Sequence, residues 1–257
     1  MPKKKTTLTY KILRWIIRLV YPKTQICGAE KLPDEPVVLV GNHTQMNGPI
    51  ICEFYMPMER YTWCAAQMMH WKEVPSYAFQ DFWSQKPRYT HWFYKILAYL
   101  ITPFSVCLFN NANTIPVYRD ARLLSTFKTT VRMLDEGTSV VIFPEHDVKH
   151  NHIVYDFQDK FLDVAKLYYK RTGKVLKFVP MYIAPGLRQV HFGEPVAYDP
   201  AEPMDTQRRK LCDYLMDEIT RVAESLPEHR VVPYRNIPKK YYPSNKETTH
   251  ENTRRGL

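Results

Sequence analysis

The feature that most constrains this chain is a set of short β-branched runs separated by stretches of helical periodicity. The run VVLVG, within Pro36–Asn42, is short, rich in β-branched side chains and bounded by turn residues. That pattern predicts a buried strand. A second run, Ser139–Phe143 (SVVIF), ends in Pro144-Glu145, and a third covers Leu176–Ile183. Between them, Arg122–Leu134 reads as a helix stopped by Gly137, and Phe157–Tyr169 as another stopped by Gly173. A late, highly charged helix is expected over Met204–Ser225. Strands alternating with helices predict an α/β fold, a single domain with a largely parallel central sheet flanked by helices. In open sheets of this kind, ligands and chemistry gather at the C-terminal ends of strands. His43 and Glu145 both stand at such ends.

At 257 residues the chain can bury a substantial core. Its formal charge of +10 suits an anionic partner. The basic residues are scattered, and no helix-turn-helix, zinc-finger or RNA-binding aromatic pattern is present, so no nucleic acid is expected. Cys27, Cys52, Cys64, Cys107 and Cys212 are odd in number and widely spaced, with no CxxC pair. That usage fits a reduced compartment and small buried side chains, with no thiol nucleophile.

Leu8–Val20 has helical periodicity, and Lys11, Arg14 and Arg18 share one of its faces. A basic stripe opposite Trp15 and Ile16 is the pattern of a helix lying in a membrane interface, or of an amphipathic helix packed on the domain. Lys3-Lys4-Lys5 just before it adds attraction to an anionic surface. Trp71–Phe109 is dense in aromatic residues, which favour a membrane–water boundary. No uncharged apolar run reaches the ~20 residues of a spanning helix. The longest, Ile96–Phe109, is interrupted by Pro103. Peripheral attachment at the cytoplasmic face of a membrane is therefore expected. The chain divides in this reading into a basic amphipathic helix (1–22), an α/β domain (23–226) and a basic C-terminal extension or loose tail (227–257).

Four stretches follow one another in order: Asn42-His43 with Gly48-Pro49, then Ile115–Arg119, then Phe143-Pro144-Glu145, then Val179-Pro180. In that order and spacing the sequence resembles the glycerophospholipid (lysophospholipid) acyltransferase family, from about Gly28 to Pro195. The resemblance implies transfer of a fatty acyl group from a CoA or acyl-carrier-protein thioester to the hydroxyl of a lysophospholipid or glycerolipid acceptor. It implies a role in phospholipid biosynthesis, with no cofactor beyond that thioester co-substrate. A lipid hydroxyl is a poor nucleophile, and a neutral imidazole in reach can take its proton. By the resemblance His43 is that base, Arg119 holds the acceptor's phosphate, and Phe143, Pro144 and Glu145 line the acceptor pocket.

The chain departs from the family's pattern at two places. Gly48 stands five positions after His43, where the family has the Asp that orients the base. Asn47 is the expected substitute, accepting a hydrogen bond through its side-chain oxygen, and Asp147 is the alternative, a carboxylate moved to the third motif. That motif continues His146-Asp147-Val148 where the family has Gly, Thr or Ser, and Arg; Lys149 could replace the Arg in part. A second function therefore stands beside the first: a catalytically silent lipid-binding relative that has lost the dyad. Glu145–His152 holds three His and two carboxylates, a supply of metal ligands or a solvated polar loop. Its spacing matches no established metal motif, and no metal is expected.

Overall fold

The structure, a computed structural model, describes residues 7–247. The Lys3-Lys4-Lys5 run and the end of the basic extension lie outside the described residues. In chain order the elements are α1 (Leu8–Val20), β1 (Gln25–Cys27), β2 (Val38–Gly41), α2 (Asn47–Tyr55), β3 (Arg60–Ala65), α3 (Val74–Ala78), α4 (His91–Asn111), β4 (Thr114–Val117), α5 (Leu123–Asp135), β5 (Ser139–Ile142), β6 (Glu145–Lys149), β7 (Tyr155–Phe157), α6 (Asp163–Thr172), β8 (Lys177–Ala184), β9 (Gln189–Phe192), β10 (Val196–Ala197) and α7 (Met204–Ser225). The α/β class, the largely parallel sheet and the N-terminal helix are as the sequence predicts. The chain splits into two compact units, a division the sequence reading did not draw: described residues up to Lys23 with Tyr61–Thr129, and Thr24–Arg60 with the residues from Thr130 onward.

In the larger unit the strands run in the order β1-β9-β8-β2-β5, with β10 paired to β8. Central β2 is parallel to both neighbours, with Val38 opposite Val140 on one side and Phe178 on the other. Val37 to Val40 are all fully buried. A strand covered on both faces needs an unbroken apolar run, which is why VVLV does not alternate. Helix α7 lies against β8. It buries Leu211, Cys212, Leu215, Met216, Ile219 and Ala223, a stripe at spacings of three and four that leaves the other face to its charges. Burial of Leu215 or Ile219 contributes ~1.5–3 kcal/mol each.

Two stretches of this unit differ from expectation. Glu145–His152 is no loop. It supplies β6 and the turn of a hairpin with antiparallel β7, whose turn is pinned by the Asn151 side-chain oxygen accepting from the backbone of Ile153 and Val154 (2.8 and 2.9 Å). The helix expected from Phe157 begins at Asp163, because Tyr155–Phe157 is taken up by β7. The described part of the C-terminal extension is packed. Asn245 is fully buried; its amide donates to the Ala223 carbonyl and its side-chain oxygen accepts from His229 N–H (both 2.8 Å). Val231 N–H donates to the Pro243 carbonyl, closing 231–243 into a loop.

The smaller unit holds α1, the parallel pair β3–β4, α3 and α4. Val74, Ala78, Ala98 and Val106 form its small core, with Phe79, Phe82, Trp83 and Ile101 packed on it. Helix α4 runs through Pro103, which the sequence reading took as an interruption. Proline removes the bond to the carbonyl four residues earlier, here that of Tyr99, and both residues sit on the exposed face. Beside it, the Thr102 hydroxyl donates to the Ala98 carbonyl (2.8 Å). The stretch Arg88–Asn111 is therefore long and apolar enough to cross a membrane by length and composition, with 22% of its most apolar window buried. Tyr10 is the buried residue of α1, and Trp15, Ile16, Leu19, Trp92, Tyr99, Leu100 and Phe104 are exposed.

Candidate functional site

The site forms where β2 and β5 end in the larger unit. The Asn42 side chain continues the β2–β8 ladder beyond the last strand residue. Its oxygen accepts from Ile183 N–H (2.7 Å) and its amide donates to the Ile183 carbonyl (3.1 Å). That clamp fixes the point at which His43 leaves the sheet. Thr44 and Gln45 then adopt left-handed backbone conformations (φ +46° and +58°). Two consecutive non-glycine residues there store roughly 1–3 kcal/mol each, which the surrounding bonds must hold. Gly48 N–H donates to the His43 carbonyl and Asn47 N–H to that of Thr44, so the chain turns straight into α2. The turn is tight: a Cβ on Gly48 would stand 2.5 Å from the His43 carbonyl oxygen. Position 48 takes a glycine without strain, because the His43 backbone passes against it.

The His43 ring lies edge-on to Phe143 (centroids 5.3 Å apart) and to Tyr234 (5.9 Å). Desolvation among these groups pushes its pKa down to about 4, opposed by a backbone hydrogen bond to Gln45. His43 is therefore a neutral imidazole at ordinary pH.

Glu145 opens β6 and is buried. Its two oxygens accept from main-chain N–H groups, one from His43 (2.5 Å) and one from Tyr155 (2.8 Å). It ties the turn of the base to the β6–β7 hairpin. Burial raises its pKa to about 7 against those two hydrogen bonds. Phe143 and Pro144 lie between β5 and Glu145, and the Pro144 carbonyl accepts from Gln158 N–H.

His43, Phe143, Pro144 and Glu145 thus come together. Asn47 is close in the chain, and its side-chain amide donates to the Thr44 carbonyl (2.9 Å). Asp147 is exposed, and its carboxylate accepts from Arg235 Nε (3.2 Å). Lys149 is exposed on β6. Arg119 follows β4 in the smaller unit and is exposed. Its neighbour Asp120 is engaged by Arg122 (2.7 Å).

The histidines of the hairpin diverge: His146 reaches Asp156 (3.2 Å), His150 reaches Asp217 (3.4 Å) and His152 reaches Glu224 (3.9 Å). Among the described residues no group of three His, Cys, Asp or Glu gathers to hold a metal ion. The thiols of Cys52, Cys64 and Cys212 are pushed up to about 12 by burial, which leaves them inert as nucleophiles.

Sequence reasoning missed Gln45, Tyr234, Arg235 and Tyr242. Gln45 Nε2 donates to the Arg235 carbonyl (3.2 Å) and to the Tyr242 hydroxyl (3.1 Å). No sequence pattern signals a contact across that separation.

No protein-family model matches the chain, and no curated protein matches it. Among solved structures it is similar to the 1-acyl-sn-glycerophosphate (LPA) acyltransferase PlsC from Thermotoga maritima, with 16% identity and a TM-score of 0.45 over 84% of this chain and 79% of that one.

Proposed function

We propose that the chain is an acyltransferase acting on a membrane lipid. The observation that carries this reading is the imidazole of His43 at the end of β2, set edge-on to Phe143 and Tyr234, with its main chain held by Glu145. The acceptor hydroxyl attacks the thioester carbonyl and gives its proton to the other nitrogen of His43. The carbon–sulfur bond breaks, and the thiolate takes the proton back as it leaves. The products are an ester and a free thiol. In this mechanism the Gln45 carbonyl fixes the tautomer, as the family's Asp would, but supplies no charge to the imidazolium. Asn47 shapes the turn, and Lys149, exposed on the hairpin that Glu145 opens, is a cation available to an anionic acceptor. The donor is a CoA or acyl-carrier-protein thioester, and the acceptor a lysophospholipid or glycerolipid.

The reading also sets the chain at the cytoplasmic face of an anionic membrane. Helices α1 and α4 expose Trp15, Leu19, Trp92, Tyr99, Leu100 and Phe104, and α1 carries Lys11, Arg14 and Arg18. Aromatic and aliphatic side chains with adjacent cations suit a lipid surface. The test is thiol release from acyl-CoA with and without lysolipid. His43→Gln is expected to lower lipid-dependent release by ~10²–10⁴-fold. Release at the parent rate in that variant overturns the mechanism, and no lipid-dependent release by the parent overturns the function.

A further inference from the structure

We propose that Gln45 is a positioning residue for His43: its side chain hooks the loop 231–243 onto the turn of the base and so holds Tyr234 against the imidazole. The role of His43 as base rests on the acyl-transfer reading, whereas the hook is read from the contacts alone.

Gln45 stands where other residues would fit the backbone better. Its φ of +58° is left-handed, a region that glycine and asparagine enter at least cost. Neither reaches as far, asparagine being one carbon shorter, ~1.5 Å. The longer amide uses both of its N–H bonds on the loop, one to the Arg235 carbonyl (3.2 Å) and one to the Tyr242 hydroxyl (3.1 Å). The acceptors stand on the outgoing and the returning arm of the loop, so one side chain grips both.

The loop is also held at its neck. Val231 N–H donates to the Pro243 carbonyl, and the Arg230 guanidinium donates to the Tyr242 carbonyl (2.7 Å). Just before it, the buried His229 ring meets the Tyr182 hydroxyl of β8 (2.8 Å). With neck and arms fixed, Tyr234 has a defined place. The contacts then close a circuit around the base. His43 N–H donates to Glu145, which also accepts from Tyr155 N–H. The Tyr155 ring packs on that of Tyr234 (5.7 Å), and Tyr234 lies edge-on to the imidazole (5.9 Å). Gln45, two residues from His43, ties the loop member of this circuit to the turn.

The titratable groups around the ring are Glu145, Tyr155 and Tyr234, with Arg235 and Asp147 paired beside them (3.2 Å). A carboxylate at Glu145 would draw the pKa of His43 up, and burial takes it down to about 4. A displaced Tyr234 admits water and returns that pKa toward the ordinary histidine range. A bond that served only to stabilise the fold would leave it unmoved.

The experiment follows the His43 ring by NMR across pH in the full chain, with His43→Gln assigning its signal among the nine histidines. Thiol release from acyl-CoA with lysolipid is measured over the same range. Gln45→Asn keeps an amide and tolerates the left-handed backbone, but loses the reach. It is expected to raise the His43 titration by about one unit and to lower kcat about tenfold, with KM changed less than about twofold. Tyr234→Ala should raise the titration at least as far. Tyr242→Phe, which removes one of the two bonds, should move it the same way by less, and these two variants decide the matter if Gln45→Asn does not fold. A His43 titration like the parent's in folded Gln45→Asn, or in Tyr234→Ala, overturns the inference whatever happens to the melting temperature. A raised titration in a chain that consumes no thioester would sink acyl transfer and leave the hook. An unmoved titration with lipid-dependent turnover intact would sink the hook and leave acyl transfer.

Discussion

Replacing Gly48 by Ala adds one carbon at the closest backbone approach in the site. The new Cβ would lie 2.5 Å from the His43 carbonyl oxygen and 3.1 Å from two ring atoms of Phe143. Non-bonded heavy atoms prefer ~3.5 Å or more, so the overlap with the carbonyl is about 1 Å. That oxygen cannot swing aside like a side-chain tip: it belongs to the residue whose N–H is held by Glu145 and whose ring contacts Phe143 and Tyr234. Overpacking in a rigid setting costs ~1–3 kcal/mol, and this site stands at the upper end. For a chain of this length each kcal/mol moves the melting temperature by ~2–4 °C, so a fall of about 6–12 °C is expected. Displacing the imidazole by about 1 Å should also lower turnover by ~10²-fold. Thermal melts and acyl-CoA turnover on Gly48→Ala measure both. Gly48→Asp should be at least as damaging, since it adds the same Cβ and a carboxylate beyond it. A melting temperature within about 2 °C of the parent, with normal turnover, would refute the packing argument for the missing carboxylate.

The remaining predictions concern charge and surface. His43, with its pKa lowered to about 4, favours the native state more as pH rises from about 4 to 6.5. Glu145, raised to about 7, does the reverse between about 4.5 and 7. The two effects, roughly 3 kcal/mol each, nearly cancel in the parent. His43→Gln should therefore become less stable as pH rises over that window, and Glu145→Gln more stable; pH-resolved denaturant melts with both slopes flat would refute the pair. In the free enzyme, kcat/KM should rise only through pH about 4 and stay level above pH 5 until other groups titrate, and a rising limb near pH 6.5 would contradict the desolvated imidazole. Trp15→Glu with Leu19→Glu should lower sedimentation with anionic vesicles at least fivefold while leaving the melting temperature unchanged, since both side chains are exposed. Unchanged sedimentation would remove α1 from the membrane surface.

The parts of the fold that were legible in the sequence are those governed by local periodicity. The unbroken Val37–Val40 run, the SVVI of β5 and the stripe of α7 each declare which faces are covered. The position of His43 and Glu145 at strand ends followed from the same patterns. What the sequence concealed was decided elsewhere. Polar residues 145–149 pair as a strand because β7 offers them a partner, and Pro103 stays helical because its lost bond faces outward. The part of Glu145 that no local pattern shows is its pair of main-chain contacts, one oxygen accepting from His43 N–H and the other from Tyr155 N–H. The orienting group proposed for His43 carries no letter in the sequence, since any residue at position 45 has a carbonyl.

The long reach of the Gln45 side chain has a consequence for the order in which the protein matures during synthesis. Its partners lie 190 and 197 positions later in the chain. A chain is made from its N-terminus, so the turn bearing His43 leaves the ribosome long before Arg235 and Tyr242 exist. Strands β2 and β5 can pair, and Glu145 can grip the His43 backbone, while the imidazole still lacks its Tyr234 cover. Such long-range contacts are also the slowest to form. Nascent chains halted before residue 234 should therefore hold an imidazole that titrates closer to an ordinary histidine, and the desolvated base should emerge only when the last loop docks.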